Sequence, residues 1–571
     1  MKNLSTNTAT VARGPLIAYG LGGLIPIALY NVAEQLIRLI GNIGLGLSAY
    51  WLGVVLILPR LWDAVSDPLM GHITDNTRSR WGRRRPYIFL GAIIVAISFC
   101  MMWWIPQGET VRAWFSSESG YQWFQLSYIL ALLLIFYTAC TIFEIPHGAL
   151  GMEMSSDRND RTLLFSSKSF FGNLFAMGTP WLFALANLEF FKGTGGNLVD
   201  GMRMVSLLVA AVLIPLAIWW FFVLREPAYT IAKTQKKTPL RKDLKITCSN
   251  RTFLKLVLVI FTLAMGFNFV SLLSYYITIF YLYAGDKGAA GPLLGINGTI
   301  WAITGLVAVF PLNWISRRAG KRKTLALAIL LMCAAQLAKI VCYNPELPYL
   351  VIIPTILLSA GMLMFFTLGS SMVGDICDED DLNTGTRSEG SYYSVYWWFI
   401  KMGTALASFV TGALLVLSQF DETQAVKVDA LEGQVREILA VDVNLTTSHE
   451  ALVELRTQAS TSAKALENYF LSQVDAEQVD SHYSKLGAST ATIHNDITTL
   501  TAVTNDQDTL LSKITELSRQ SPLVLLRLRV IEIGIPLLLC LISLGALRLY
   551  PLTEEKLDTI KEALDARNQA K

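Results

Sequence analysis

The chain has 571 residues, 53% hydrophobic and only 16% charged, against about 25% charge in an ordinary soluble domain. With a mean hydropathy of +0.45, lipid must solvate much of it, which excludes a purely soluble protein. A formal net charge of +3 offers no broad basic surface for nucleic acid, and seven scattered cysteines have neither zinc nor disulfide-framework spacing.

The first residues, MKNLSTNTATVARG, lack the order of a cleaved signal, so membrane insertion is expected to begin at the first span. Apolar runs of roughly 20 residues, the length that crosses a bilayer as a helix, fall near 15–40, 46–71, 87–106, 125–148, 165–190 and 203–225. A second group falls near 252–283, 291–316, 323–342, 348–375, 389–418 and 524–550. The expected divisions are 1–225, a six-helix half; 226–251, a basic linker; 252–418, helices seven to eleven; 419–521, an insertion; 522–550, helix twelve; and 551–571, a tail. The loops after helices two and eight hold Arg78, Arg80, Arg83, Arg84 and Arg85, and Arg317, Arg318, Lys321, Arg322 and Lys323. Lysine and arginine favour the cytoplasmic side. The expected product is a multi-pass protein of the plasma membrane, in bacteria the inner membrane, with both termini cytoplasmic. The two loops, SRWGRRRP and SRRAGKRK, sit at equivalent places in the two groups. This reads as a parallel repeat of six-helix halves with a substrate site between them near mid-bilayer; the plainer reading is topology alone.

Several spans carry ionisable residues. Asp63 and Asp67, at i and i+4 in RLWDAVSDPLMGHITD, share one helical face. A carboxylate in hydrocarbon is costly and faces a cavity or a partner, so the pair suits Na⁺, or a proton held by one acid for the other. The competing reading pairs both with the arginines that follow. Glu144 lies in the fourth span, with the Thr141 hydroxyl close by on the helix. Lys401 lies in helix eleven, twelve residues beyond Glu389 and so about 18 Å along the helix, too deep to snorkel easily. Glu34 and Arg38 in helix one read as a structural pair.

Two long stretches, RLWDAVSDPLMGHITDNTRSRWGRRRPYI and GDICDEDDLNTGTRSEGSYYSVYWWFIKMGTALA, resemble the signatures of the glycoside-pentoside-hexuronide:cation symporters, the melibiose permease family within the major facilitator superfamily. The likeness covers nearly all twelve helices but not residues around 420–520. It implies an all-α major facilitator fold of two six-helix halves and a coupling cation, Na⁺ or H⁺, with no organic cofactor. By the same resemblance the cation sites fall on Asp63, Asp67, Ser66 and Thr141. Substrate contacts fall on Glu144, Lys401 and Lys168 (or Ser169), to which His147, Trp397 and Tyr396 are added as candidates. The family's helix-one sugar aspartate is replaced at or beside Ile27, and its aromatic after Ile-Pro by Gly148, so galactoside recognition in that mode is not expected. The acidic motif of helices ten and eleven, with Asp375, Asp378 and Arg387, faces the Arg83–Arg84 loop as a candidate inner gate; a merely solvated loop is the alternative.

Residues 421–520 hold 16 Asp and Glu against 7 Lys and Arg, a net charge of −9. Apolar residues recur at helical spacing (Leu431, Val435, Ile438; Leu452, Leu455; Leu510, Leu511, Ile514, Leu517), which predicts an amphipathic hairpin or small bundle outside the cytoplasm. It caps the vestibule, meets an extracytoplasmic partner, or is a tolerated insertion. The function expected is import of a glycoside, oligosaccharide or uronide in symport with a cation, with membrane lipid as the surroundings and no nucleic-acid partner. The alternatives are a lysophospholipid symporter on the same scaffold and a transporter-derived sensor. No P-loop, His-Glu-x-x-His or nucleophile-base set suggests an enzyme.

Overall fold

The computed structural model describes residues 11–569 except most of 31–48, residues 108 and 156, most of 179–187, 193–197, most of 228–246, 386–387, 441–447, 474–479 and 500–506. The chain is an all-α membrane protein, without β-strand among the described residues. Eight helices in that set are long and apolar enough to cross a membrane: Arg85–Trp103, Glu118–Glu153, Val199–Val223, Arg251–Leu282, Ala289–Val307, Lys321–Cys342, Pro348–Thr384 and Pro522–Arg548. Helices also overlap the other four predicted spans among the described residues, Arg13–Leu29, which is shorter than a membrane span, Ala49–Asn76, Arg158–Ala176 and Glu389–Leu417. The last three carry Asp63, Asp67, Lys168 and Lys401, the ionisable residues that interrupt an otherwise apolar pattern. Expected residues Glu34, Arg38 and Arg387 lie outside the described set.

Local chemistry fixes where these helices begin. Ser117, Asp157, Asn250 and Ser521 each accept a backbone N–H at the start of the helix that follows, and Pro522 fills the first turn after Ser521; each such cap is worth about 1 kcal/mol. Prolines follow the two key acidic sites. Pro68 and Pro146 lie inside their helices and lack an N–H, so the carbonyls of Ala64 and Ile142 lose their helical partner beside Asp67 and Glu144.

The helices before residue 224 pack on one another, as do those after 250, and the two groups meet where Glu389–Leu417 crosses Ala49–Asn76 and Ile352–Thr384 crosses Arg158–Ala176. Gly71 and Gly390 make the first crossing possible: a Cβ on Gly71 would stand 2.5 Å from the Gly390 carbonyl oxygen, so only glycine permits this backbone approach. The end that holds the Arg83–Arg85 loop is called the basic end below. Both described chain ends lie there, because the Val11 N–H reaches Asp160 and the terminal helix Glu554–Gln569 pairs with Asp157 and Arg158.

Among the described residues of 421–520 are four helices, Glu422–Ala440, Ser448–Ser472, Asp480–Thr499 and Gln507–Glu516. They enclose a core of their own from Leu431, Val435, Ile438, Leu466, Phe470, Ile493, Ile497, Leu510, Ile514 and Leu517, separate from the core of the spans. The two strands of chain entering and leaving this bundle are tied together. Asp421 N–H donates to Gln520 Oε1 (3.1 Å), Gln520 Nε2 donates to the Asp421 carbonyl (3.1 Å), and Gln424 Nε2 donates to the Leu517 carbonyl (2.6 Å). Tyr469 and Tyr483 both donate to the Asp421 carboxylate.

Candidate functional site

Two ion clusters meet between the halves. In the first, Lys401 Nζ lies 2.9 Å from Asp63 Oδ2 and 2.7 Å from Asp67 Oδ2. Tyr30 donates to Asp63 Oδ2 (2.7 Å) and Thr141 to Asp67 Oδ1 (2.8 Å). Asp63, Asp67, Ser66 and Thr141 are all buried. Asp63 Oδ1 and Ser66 Oγ are buried oxygens with no hydrogen-bond partner, an arrangement that costs about 1–3 kcal/mol per group unless something binds there. Carboxylate and hydroxyl oxygens of this kind are the donor set of a hard monovalent cation, and the lysine ammonium occupies the place such a cation would take.

This relocates one expectation. Lys401 is assigned above to substrate, yet its charge sits on the aspartate pair, because two buried carboxylates at i and i+4 need a cation more than an empty cavity does. The competing reading, with the aspartates neutralised by the arginines of the following loop, does not describe the contacts either: those arginines pair elsewhere.

The second cluster holds Glu144, Lys168 and Tyr393. Lys168 Nζ lies 2.7 Å from Glu144 Oε1, Tyr393 donates to the same oxygen (2.9 Å), and Lys168 donates to the Tyr393 hydroxyl (3.2 Å). Glu144 Oε2 is buried without a partner. Of the two aligned candidates, Lys168 therefore joins Glu144, while Ser169 pairs with Thr367. Trp397 is half-buried, stacked on Phe366 and edge-on to Tyr393, whereas Tyr396 is wholly buried. His147 also departs from its assignment to substrate. It is wholly buried in a stack between Tyr19 (centroids 4.3 Å) and Phe143 (5.1 Å), against Gly22, so its flat ring serves packing inside one half.

At the basic end a third network is fully desolvated. Arg83 pairs with Glu153 and Glu389 (2.8 Å each), and Arg84 pairs with Glu153 and with Asp75 (2.9 Å). Asp75 also accepts the Gly390 and Ser391 N–H groups, so a carboxylate of one half caps the first turn of a helix of the other. Burial works against the Arg83 charge, but Glu153, Glu389 and Asp75 outweigh it and raise its pKa above the ordinary arginine value. The described partners of Asp375 and Asp378 come from other elements than this loop. Lys321 takes Asp375 (2.7 Å), and Arg161 takes Asp375 (3.4 Å) and Asp378 (2.5 Å), because the Arg161 helix packs directly on theirs. The terminal helix adds Arg158–Glu554 (2.7 Å), Lys556–Glu379 (2.6 Å) and Arg567–Asp381 (2.8 Å).

Sequence reasoning passed over Tyr30, Asp75, Glu153 and Arg161 and did not single out Tyr393. A hydroxyl or charge inside or just at the end of an apolar run is the signal each carried, but its partner lies on another element and no helical spacing reveals it.

A family model described as MFS/sugar transport protein matches residues 18–439. The isoprimeverose transporter of Lactiplantibacillus pentosus is 25% identical over 388 residues, 68% of this chain and 77% of that protein. The sodium-dependent lysophosphatidylcholine symporter 1-A of Danio rerio is 23% identical over 412 residues, 66% of this chain and 73% of that one. Among solved structures, the MFS proton:xylose symporter XylE bound to 6-bromo-6-deoxy-D-glucose superposes with a TM-score of 0.52 over 71% of this chain and 88% of that one, at 12% identity, a likeness of fold.

Proposed function

The chain belongs to the MFS/sugar transport protein family and is a cation-coupled symporter; from that premise we propose that it imports a glycoside, oligosaccharide or uronide with Na⁺ across a plasma membrane, its basic end in the cytoplasm. The observation that carries this reading is the Asp63–Asp67 pair holding Lys401, with Asp63 Oδ1 and Ser66 Oγ left over.

Na⁺ competes with the lysine for the same oxygens. With Na⁺ bound to Asp63, Asp67, Ser66 and Thr141, the ammonium is released and helix Glu389–Leu417 is free to adjust around substrate at Glu144 and Lys168. A half-filled site would leave a buried charge unpaired, so occlusion favours the fully loaded or the lysine-filled carrier, and this links the two gradients. The Arg83–Glu389 and Arg161–Asp375 pairs join the halves at the basic end, which supports an outward-facing state with the inner gate shut.

The test is uptake of radiolabelled isoprimeverose, other glycosides, a uronide and a lysophosphatidylcholine into proteoliposomes, with and without an inward Na⁺ gradient. One sugar accumulates with Na⁺, and Asp63→Asn or Asp67→Asn abolishes accumulation. Gradient-driven accumulation surviving both substitutions would sink the coupling site, and accumulation of the lysolipid alone would transfer the assignment to lipid.

A further inference from the structure

Helix Glu389–Leu417 reaches across the interface at one notch in helix Glu118–Glu153. A Cβ on Gly148 would stand 2.0 Å from the Tyr393 ring; with glycine there, Tyr393 inserts until it is wholly buried. Its ring lies against Phe165 (centroids 6.4 Å) and beneath Lys168 Nζ (5.7 Å), and its hydroxyl ends on the Glu144–Lys168 pair of the other half.

A phenol has one proton. Here it goes to Glu144 Oε1, and the oxygen accepts from Lys168, which is the bonding pattern of any alcohol placed at that point. The second oxygen of the same carboxylate, Oε2, is buried and unpaired. A carboxylate with both oxygens turned to one ligand matches two neighbouring hydroxyls, one on each oxygen.

We propose that Tyr393 is a latch that holds the place of a substrate hydroxyl: a vicinal diol of a sugar takes Glu144 Oε1 and Oε2, displaces the phenol, and thereby releases helix Glu389–Leu417 from the Gly148 notch. Tyr393 is then a specificity-determining residue, because only a ligand able both to donate to Glu144 and to accept from Lys168 replaces what it removes. A ligand with a single hydroxyl leaves Oε2 unpaired and exchanges poorly. This rests on the reading of Glu144 and Lys168 as the substrate site.

The test uses full-length protein in proteoliposomes and two variants that open the latch by different routes. Tyr393→Phe keeps the ring and removes the hydroxyl; Gly148→Ala fills the notch. The first readout needs no substrate: mixed-disulfide formation at the buried Cys140, one helical turn before Glu144, with a small alkyl thiosulfonate, whose sulfinate is the leaving group. The second is isoprimeverose uptake with KM and kcat separated. Tyr393→Phe is expected to raise the Cys140 rate several-fold and to lower KM about tenfold, the worth of one hydrogen bond to a charged group, without raising kcat. Gly148→Ala, if it folds, moves the Cys140 rate the same way. Isoprimeverose uptake by the parent with both readouts unchanged in Tyr393→Phe overturns the latch and leaves the substrate site standing. Faster Cys140 labelling with no uptake by the parent of isoprimeverose or of any other glycoside or uronide of the panel overturns the diol assignment instead.

Discussion

A lysine held by two aspartates in a desolvated site is a switch only if something competes with it. Lys401→Met removes the ammonium and leaves Asp63 and Asp67 facing each other, a loss of about 3–5 kcal/mol for a buried pair broken on one side. The variant should therefore melt well below the parent in choline buffer and recover in Na⁺, with a larger Na⁺-induced rise in Tm than the parent shows, since ligand binding to the folded state adds stability by mass action. Equal rises in both proteins would mean that Lys401 and Na⁺ do not share a site. At this scale the sequence was legible at some of the charges that stand in apolar runs, though not at Glu153 or Arg161. Asp63, Asp67, Glu144 and Lys401 announce themselves because hydrocarbon makes each expensive. What could not be read was who pairs with whom: Lys168 and Lys401 divide the acids between them, and Tyr30 and Tyr393 complete each cluster from distant helices.

Whole elements were more legible than their partners, because the length of an apolar run is set by the bilayer and the helical period by the backbone. The helical packing of residues 421–520 was legible in Leu431, Val435, Ile438 and Leu510, Ile514, Leu517, all of which share one core. The neck of this bundle was not foreseen, since Asp421 and Gln520 are joined only by folding. That neck makes a firm prediction. Replacing 422–519 with two glycines closes the gap the Asp421–Gln520 hydrogen bonds already span, and of the residues that pack on the core of the spans it removes little more than Ala425. The shortened protein should reach the membrane with a Tm within about 1–2 °C of the parent, the worth of ~1 kcal/mol in a chain this long, since the unfolding entropy grows with the number of residues. Circular dichroism melts in detergent check this; a chain that fails to insert, or melts far lower, would make the bundle part of the transporter's own core.

For the molecule as a whole, the terminal helix binds both halves at once. Leu557, Ile560 and Leu564 bury one face of it while Glu554 reaches Arg158 and Lys556 and Arg567 reach Glu379 and Asp381. Each exposed pair alone contributes little, about 0.2–1 kcal/mol, and salt screens it; together they act on one equilibrium, the opening of the basic end. Truncation after Pro551 should raise the alkylation rate of buried Cys377 several-fold, with exposed Cys248 as the control, and 1 M KCl should move the parent in the same direction. A Cys377 rate indifferent to both would show that the helix rests on a gate it does not control. None of this was visible in residues 551–571, which the sequence presents only as a tail. The neck has a different consequence for anyone who wants to see the protein move. Most helical carriers of this shape are nearly featureless in projection, because everything ordered lies inside the detergent belt. Here a helical bundle with a core of its own is tied at its base; if it projects beyond the belt, as an extracytoplasmic insertion would, each particle in an electron micrograph carries its own pointer to orientation.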